Sequence, residues 1–190
     1  MKLLHSLILT SVLSCASLVA SEYKVDTVHS DIGFSAKHMM ISHVKGNFKK
    51  FTGTFSLDEK SKQFSSLKGT VDVASISTQN KMRDDDLRSG NFFDVAKYPQ
   101  MSLKLIKQMG DKAIVALTIK DVTKEIEMEL EDISGPIKDP WGNIRSAFAM
   151  HGKIDRKDFH MNFNKVLETG GLLVGDTVKI DLTIEGIKNK

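Results

Sequence analysis

Cysteine is nearly missing from this chain: Cys15 is the only one. That excludes an internal disulfide and a cysteine-built metal cluster. Proline is scarce too, with three residues in 190, and no stretch rich in proline, glycine or serine marks a linker. Neither sign of charge dominates. The 27 lysines and arginines face 24 aspartates and glutamates, a net charge of +3. No nucleic acid or strongly acidic partner is therefore expected. The longest apolar run lies at the start and falls far short of the roughly 20 residues of a membrane helix, so no integral membrane segment is expected. The spacings that mark catalysis and metal binding are also missing. There is no Gly-x-Ser-x-Gly and no His-x-x-x-His, and Asp84-Asp85-Asp86 lacks the alternating acids and closing glutamate of a calcium loop. The histidines are scattered, and strand faces or loops are their default place. Convergence of His29, His38 and His151 stays open at this level.

What is present begins with a leader. Lys2 is followed by a mostly apolar run from Leu3 to Leu13 and by small residues from Ala16 to Ala20. That pattern is a secretory signal peptide over residues 1–20, with cleavage after Ala20. Leu13 is too large for a lipoprotein signal ending at Cys15, and cleavage removes that cysteine. The expected location is the periplasm or the outside of the cell. Removing Lys2 leaves 26 basic against 24 acidic residues, or +2. The remaining residues 21–190 form one domain, large enough to bury about 70% of its unfolded surface.

Nearly all of that domain alternates with period two. Ile32, Phe34, Ala36 and His38 share one face; Gly53, Phe55 and Leu57 another; Leu67, Gly69, Val71 and Val73 a third. Met101, Leu103 and Leu105 continue the pattern, then Val115, Leu117 and Ile119. The clearest strand sets Ile126, Met128 and Leu130 against Glu125, Glu127, Glu129 and Glu131. Phe148, Met150, Gly152 and Ile154 follow, and Val178, Ile180, Leu182 and Ile184 close the chain. About eight strands with turn residues between them predict an all-β antiparallel barrel or sandwich. Met39 to Val44 has no clear period and reads as a short helix or an irregular crossing.

Residues 80–99 break the alternation. Asn80 is placed to cap a short helix. Asp84, Asp85 and Asp86 sit near its positive end, and Arg88 near its negative end, one turn from Asp84. Gly90 is a natural stop. Phe92, Phe93, Val95 and Tyr98 follow, with Pro99 forcing Tyr98 to be extended. The prediction is a charged helix between two sheet-forming halves. Arg83, Asp84 and Arg88 pin it, and Phe92 and Phe93 anchor it.

This stretch resembles the signature of the YceI-like family of periplasmic polyisoprenoid-binding proteins, which runs Arg-Asp-x-His-Leu-Arg-Ser-x-Asp-Phe-Phe, then Tyr-Pro. Arg83, Asp84, Leu87, Arg88, Ser89, Phe92, Phe93, Tyr98 and Pro99 match. Asp86 stands where the family often has histidine, and Asn91 where it often has aspartate. The resemblance continues through Gly46-Asn47-Phe48 with Phe51 and Gly53, Val122-Thr123-Lys124, Asp139-Pro140-Trp141-Gly142, and Gly152-Lys153-Ile154 with Lys157-Asp158-Phe159. It implies an elongated, lipocalin-like barrel with a lipid in its lumen. The late position of Trp141 sets the chain apart from ordinary lipocalins.

Methionine and phenylalanine recur on the inward faces, and such side chains make adaptable walls. From the residues alone, a packed core and a lumen are both open; the resemblance implies the lumen. Its implied ligand is a long-chain isoprenoid or similar fatty amphiphile, bound without catalysis and without a cofactor or metal. The expected lipid-binding residues are Phe34, Phe48, Phe55, Val71, Met101, Leu103, Met128, Met150 and Leu182, with His38 and Asn47 toward the head group. An enzyme acting on prenyl diphosphates and a partner-binding barrel with a packed interior are the alternatives.

Overall fold

Alternation this regular allows a sandwich or a closed barrel, and the chain takes the barrel, a sheet curled so that its apolar faces meet in the middle. The computed structural model describes residues 20–168 and 170–189. Cys15 and all of the expected signal peptide but Ala20 lie in the segment 1–19, outside the described residues. The strands are β1 (Ser21–Val25), β2 (Asp31–His38), β3 (Ser42–Phe48), β4 (Phe51–Asp58), β5 (Gln63–Asp72) and β6 (Ile76–Ser77). After the helix α1 (Lys81–Arg88) come β7 (Gln100–Met109), β8 (Lys112–Ile119), β9 (Val122–Lys138), β10 (Ile144–Asp155) and β11 (Val174–Lys188).

Eight of these strands close an antiparallel barrel in the order β1-β4-β5-β7-β8-β9-β10-β11, with β11 returning to β1. In β9, Met128 and Leu130 are buried while the four intervening glutamates are exposed, as the alternation requires. The other three strands form a leaf on the same edge of β11. That edge pairs with β1 over Gly186 to Lys188 and with β2 over Val174 to Thr183. β3 then pairs with β2, and β6 adds two residues to β3. The barrel therefore has a lower end closed by β1 and an upper end closed by the leaf.

Two apolar clusters fill these ends. The lower one holds Tyr23, Phe55, Phe64, Met128, Phe148 and Met150. The upper one holds Phe48, Phe51, Val71, Met101, Phe159 and Met161.

The structure corrects three local expectations. Residues 39–41 form a tight hairpin turn between β2 and β3, where the Ile41 N–H donates to the His38 carbonyl at 3.1 Å. They are neither a helix nor a crossing. α1 ends at Ser89, which is extended with ψ 175, because its N–H and hydroxyl already satisfy the Asp86 carbonyl; Gly90 plays no part in the stop. Arg88 pairs with Asp85 at 3.1 Å, since Asp84 is buried and turned toward Thr78.

Candidate functional site: an apolar lumen under a helical lid

The inward faces do not meet everywhere. Between the two clusters lies a cavity of about 180 Å³ that runs from Phe148 and Ile184 below to Leu87, Phe92 and Phe93 above. Small residues hold it open. Gly53 and Gly69 are paired across β4 and β5, and Gly69 pairs in turn with Leu103 of β7. Ala36 of β2 lines the opposite side. A side chain on Gly53 would meet the Lys68 carbonyl at 2.9 Å, whereas one on Gly69 would meet only the Thr52 carbonyl, at 3.5 Å.

The floor is a set of aromatic rings. Tyr23 stacks on Phe55 with centroids 4.9 Å apart, and Phe148 stands edge-on to Phe55 at 5.1 Å and close to Phe64 at 4.8 Å. Gly186 of β11 makes this possible, because a Cβ there would lie 2.5 Å from the Phe55 ring. The Tyr23 hydroxyl donates to Glu59 at 2.8 Å, and burial together with that carboxylate pushes its pKa up.

The lid is α1 and its aromatic tail. Asn80 caps the helix by accepting from the Arg83 N–H at 3.0 Å. Arg83 donates to the Thr78 hydroxyl and carbonyl at 2.7 and 2.9 Å. Asp84 accepts from the Thr78 N–H and hydroxyl at 2.8 and 2.5 Å, and Arg88 donates to the Ala74 and Ile76 carbonyls. These bonds fasten the helix to the segment on either side of β6. Phe93 then meets Phe48 edge-on at 6.0 Å, and Phe92 meets Phe163 at 5.3 Å. Phe92 is the buried ring of the pair, while Phe93 is partly buried and lines the cavity. Asp86 and Asn91, the two departures from the family pattern, are partners: the Asn91 amide donates to Asp86 at 2.7 Å.

One buried cation lies at the upper end. Arg156, 2% exposed, lines the cavity beside Met161. Its Nε donates to the Gly175 carbonyl, Nη1 to the carbonyls of Met161 and Phe163, and Nη2 to the Val174 carbonyl and Asp176. Those bonds use all five donors of a guanidinium. The side chain is thereby a clasp for loop 160–173, not a free charge facing the lumen. Sequence reasoning missed it, as it missed Leu87 and Met161; nothing in the alternation sets one arginine apart from the other surface cations.

A second arginine fastens the lower end. Arg145 reaches Asp26 at 2.7 Å, Asp139 at 2.8 Å and Glu185 at 2.6 Å. The hydrogen bond from its guanidinium is the main cause that lowers the Asp26 pKa to about 2 and holds Asp139 well below the usual carboxylate range. Asp26, His29 and Glu185 lie close enough to suggest a metal site. The guanidinium, however, already bonds both carboxylates. His29 meets Asp26 rather than His38 or His151.

Of the residues named from sequence as lipid contacts, Phe34, Phe48, Val71, Met101, Leu103, Met150 and Leu182 line the cavity. Four do not. Phe55 is stacked into the floor, and Met128 packs beside Gly152, both fully buried in the lower cluster. Asn47 points away from the lumen, since its neighbours Gly46 and Phe48 take the inward face, and it donates to Asp31 at 2.9 Å. His38 ends β2 at the rim, opposite Ser42 and Val174.

A family profile described as the YceI-like domain matches residues 23–186. A UPF0312 protein of Staphylococcus epidermidis is 38% identical over 169 residues, which span 87% of this chain and 96% of the relative. The chain belongs to the YceI-like family. Among solved structures, the YceI protein of Campylobacter jejuni is similar with a TM-score of 0.69 and 31% identity, over 81% of this chain and 90% of that one. A polyisoprenoid binding domain from Saccharophagus degradans, implicated in plant cell wall breakdown, shares the fold at a TM-score of 0.64 and 14% identity, over 88% of this chain and 98% of that one. The eight-stranded barrel with one short helix is thus the YceI-like fold. The helix carrying the YceI-like signature is the element that covers the lumen.

Proposed function

We propose that this YceI-like protein binds a long-chain isoprenoid or similar amphiphilic lipid in its barrel lumen, and carries or sequesters it in the periplasm or outside the cell. The observation that carries this reading is the chemistry of the cavity wall. Thr52, Lys68, Ser102 and Arg156 are the lining residues with polar side chains, and the donors of Arg156 are spent within the protein. Histidine, aspartate, glutamate and cysteine do not occur among the described lining residues, which supports binding rather than catalysis. The leader supports export. The polyisoprenoid binding of the Saccharophagus domain supports the ligand class.

Apolar burial is enough to hold such a guest. At about 25 cal/mol per Å², several hundred Å² of isoprenoid surface is worth on the order of 10 kcal/mol before ordering costs. A cavity of about 180 Å³ is only a little larger than the ~150 Å³ that holds benzene in an engineered core. A long chain therefore occupies it by turning the flexible Met101, Met150 and Met161 side chains aside. The test is mass spectrometry of an organic extract of the purified protein, then rebinding by delipidated protein. A delipidated protein that takes up neither prenyl lipids nor fatty amphiphiles refutes the reading. Turnover of a prenyl diphosphate moves the protein to the enzymes.

A further inference from the structure

At the upper rim the chain breaks a rule of turn chemistry. The hairpin between β2 and β3 has Met39 at φ 49 and Met40 at φ 64. Two consecutive positive φ values make a primed turn, which asparagine and glycine favour because a Cβ is strained there by roughly 1–2 kcal/mol per residue. Two methionines contribute nothing to closing such a turn. Nor do they pack into the core: Met39 is 40% exposed, Met40 50% and the following Ile41 83%. Local rules are broken in this way at functional or strained sites, and here the strained turn also carries three exposed apolar side chains.

A second tip lies alongside. The Met39 N–H donates to the Leu173 carbonyl at 2.9 Å, and Val166, 76% exposed, bridges to Leu172 on the same small hairpin. Together the tips present an apolar crest. Exposed lysines flank it: Lys37 and Lys45 on the strands, and Lys165 beside Val166. Within 37–45 and 164–173, Glu168 is the one carboxylate among the described residues. His38 at the base of the turn pairs with Val174, which lines the cavity. The crest therefore stands at the lumen's upper end, next to the loop clasped by Arg156.

We propose that this crest docks the protein on an anionic phospholipid bilayer, with Met39, Met40, Ile41 and Val166 entering the interface and the lysines meeting the headgroups. Small apolar insertion combined with a few cations is the pattern of reversible membrane binding. The proposal rests on the lipid-carrying reading, for which it supplies a place of exchange: the lumen's upper end faces the source of its guest.

The experiment is vesicle flotation. Protein is purified from an exporting host and its N-terminus is read by intact mass. It is mixed with vesicles of equal parts phosphatidylcholine and phosphatidylglycerol, or of phosphatidylcholine alone. The variant Met39→Asn, Met40→Gly, Ile41→Ser gives the turn its preferred residues, so its fold is retained. The expected result is at least tenfold stronger binding to the anionic vesicles, weakened by added salt, and at least tenfold loss in the variant. Equal binding to neutral vesicles, or binding that survives the substitution, overturns the proposal. Self-association that the variant abolishes overturns it in favour of a second copy on the crest. The lipid content of the two proteins is measured separately. A lipid-filled protein that does not float refutes docking alone, whereas a crest-dependent floating protein that never takes up lipid refutes the carrier reading alone.

Discussion

Filling the lumen from Gly69 should stabilise the protein and empty it of lipid. Gly69 lies between the inward-facing Leu67 and Val71, and all three line the cavity. Its backbone is not in the left-handed region, and a Cβ there meets nothing closer than 3.5 Å. Gly69→Leu places four carbons in the apolar cavity, worth about 3 kcal/mol at most, at about 0.8 kcal/mol per carbon. Removing a strand glycine adds about 0.5–1 kcal/mol. Crowding of wall side chains takes back about 1–3 kcal/mol. The net gain for lipid-free protein is about 0.5–3 kcal/mol, a Tm rise of about 1–12 °C for a domain of this size. Over the same substitution, rebinding of a prenyl lipid by delipidated protein should weaken at least tenfold. Paired thermal melts and lipid titrations on the two proteins measure both quantities. Unchanged lipid uptake would place the guest elsewhere. Destabilisation beyond about 2 kcal/mol would show that the space beside Gly69 is already filled.

The Arg145 clamp predicts an acid-labile lower end. Asp26 and Asp139 have pKa values below their unfolded values, so their contribution is complete above about pH 4 and is lost as the pH falls through about 2. Arg145→Gln should flatten the fall of Tm with acid in that window; an unaltered slope would show that the clamp is not coupled to folding. Asp86 and Asn91 should behave as a unit: Asp86→His and Asn91→Asp each weaken the bond, and the double variant recovers about 0.5–1 kcal/mol of coupling. Strict additivity in denaturant melts would show that the bond carries no energy. Intact-mass analysis of exported protein should find cleavage after Ala20, and a retained leader or a lipid on Cys15 would contradict soluble export.

The alternation of glutamate with Ile126, Met128 and Leu130 was enough to read β9, and the run from Asn80 to Arg88 was enough to read a capped helix. Parity along a strand is a local property, and it survives folding wherever one face is buried. Height along the barrel axis is not local. Phe55 and Met128 share the inward parity of Phe34 and Met101, yet they fall in the floor because their height depends on the stagger between strands that meet far apart in sequence. Asn47 is different. Its parity is opposite to that of Phe48, so the alternation itself already argued against both facing the lumen. Arg156 was invisible for another reason. What distinguishes it is a set of carbonyls from Met161 to Gly175 that surround it only after the loop has closed.

One edge of β11 serves two strands in turn, β1 below and β2 above. Mechanically this makes the barrel a tube of unequal compliance. At the lower end, girth is fixed by a ring of ladder bonds, and changing it means tearing strands apart. At the upper end the seam is stitched by the two residue pairs of β3 and β6, with the adjoining turn at Val73–Ser75. That seam has fewer ladder pairs than the lower ring, so widening the collar would break fewer of them than widening the base. A guest that widened the tube would do so at the collar before the base. Selection by shape should fall on the end of the chain that reaches the base.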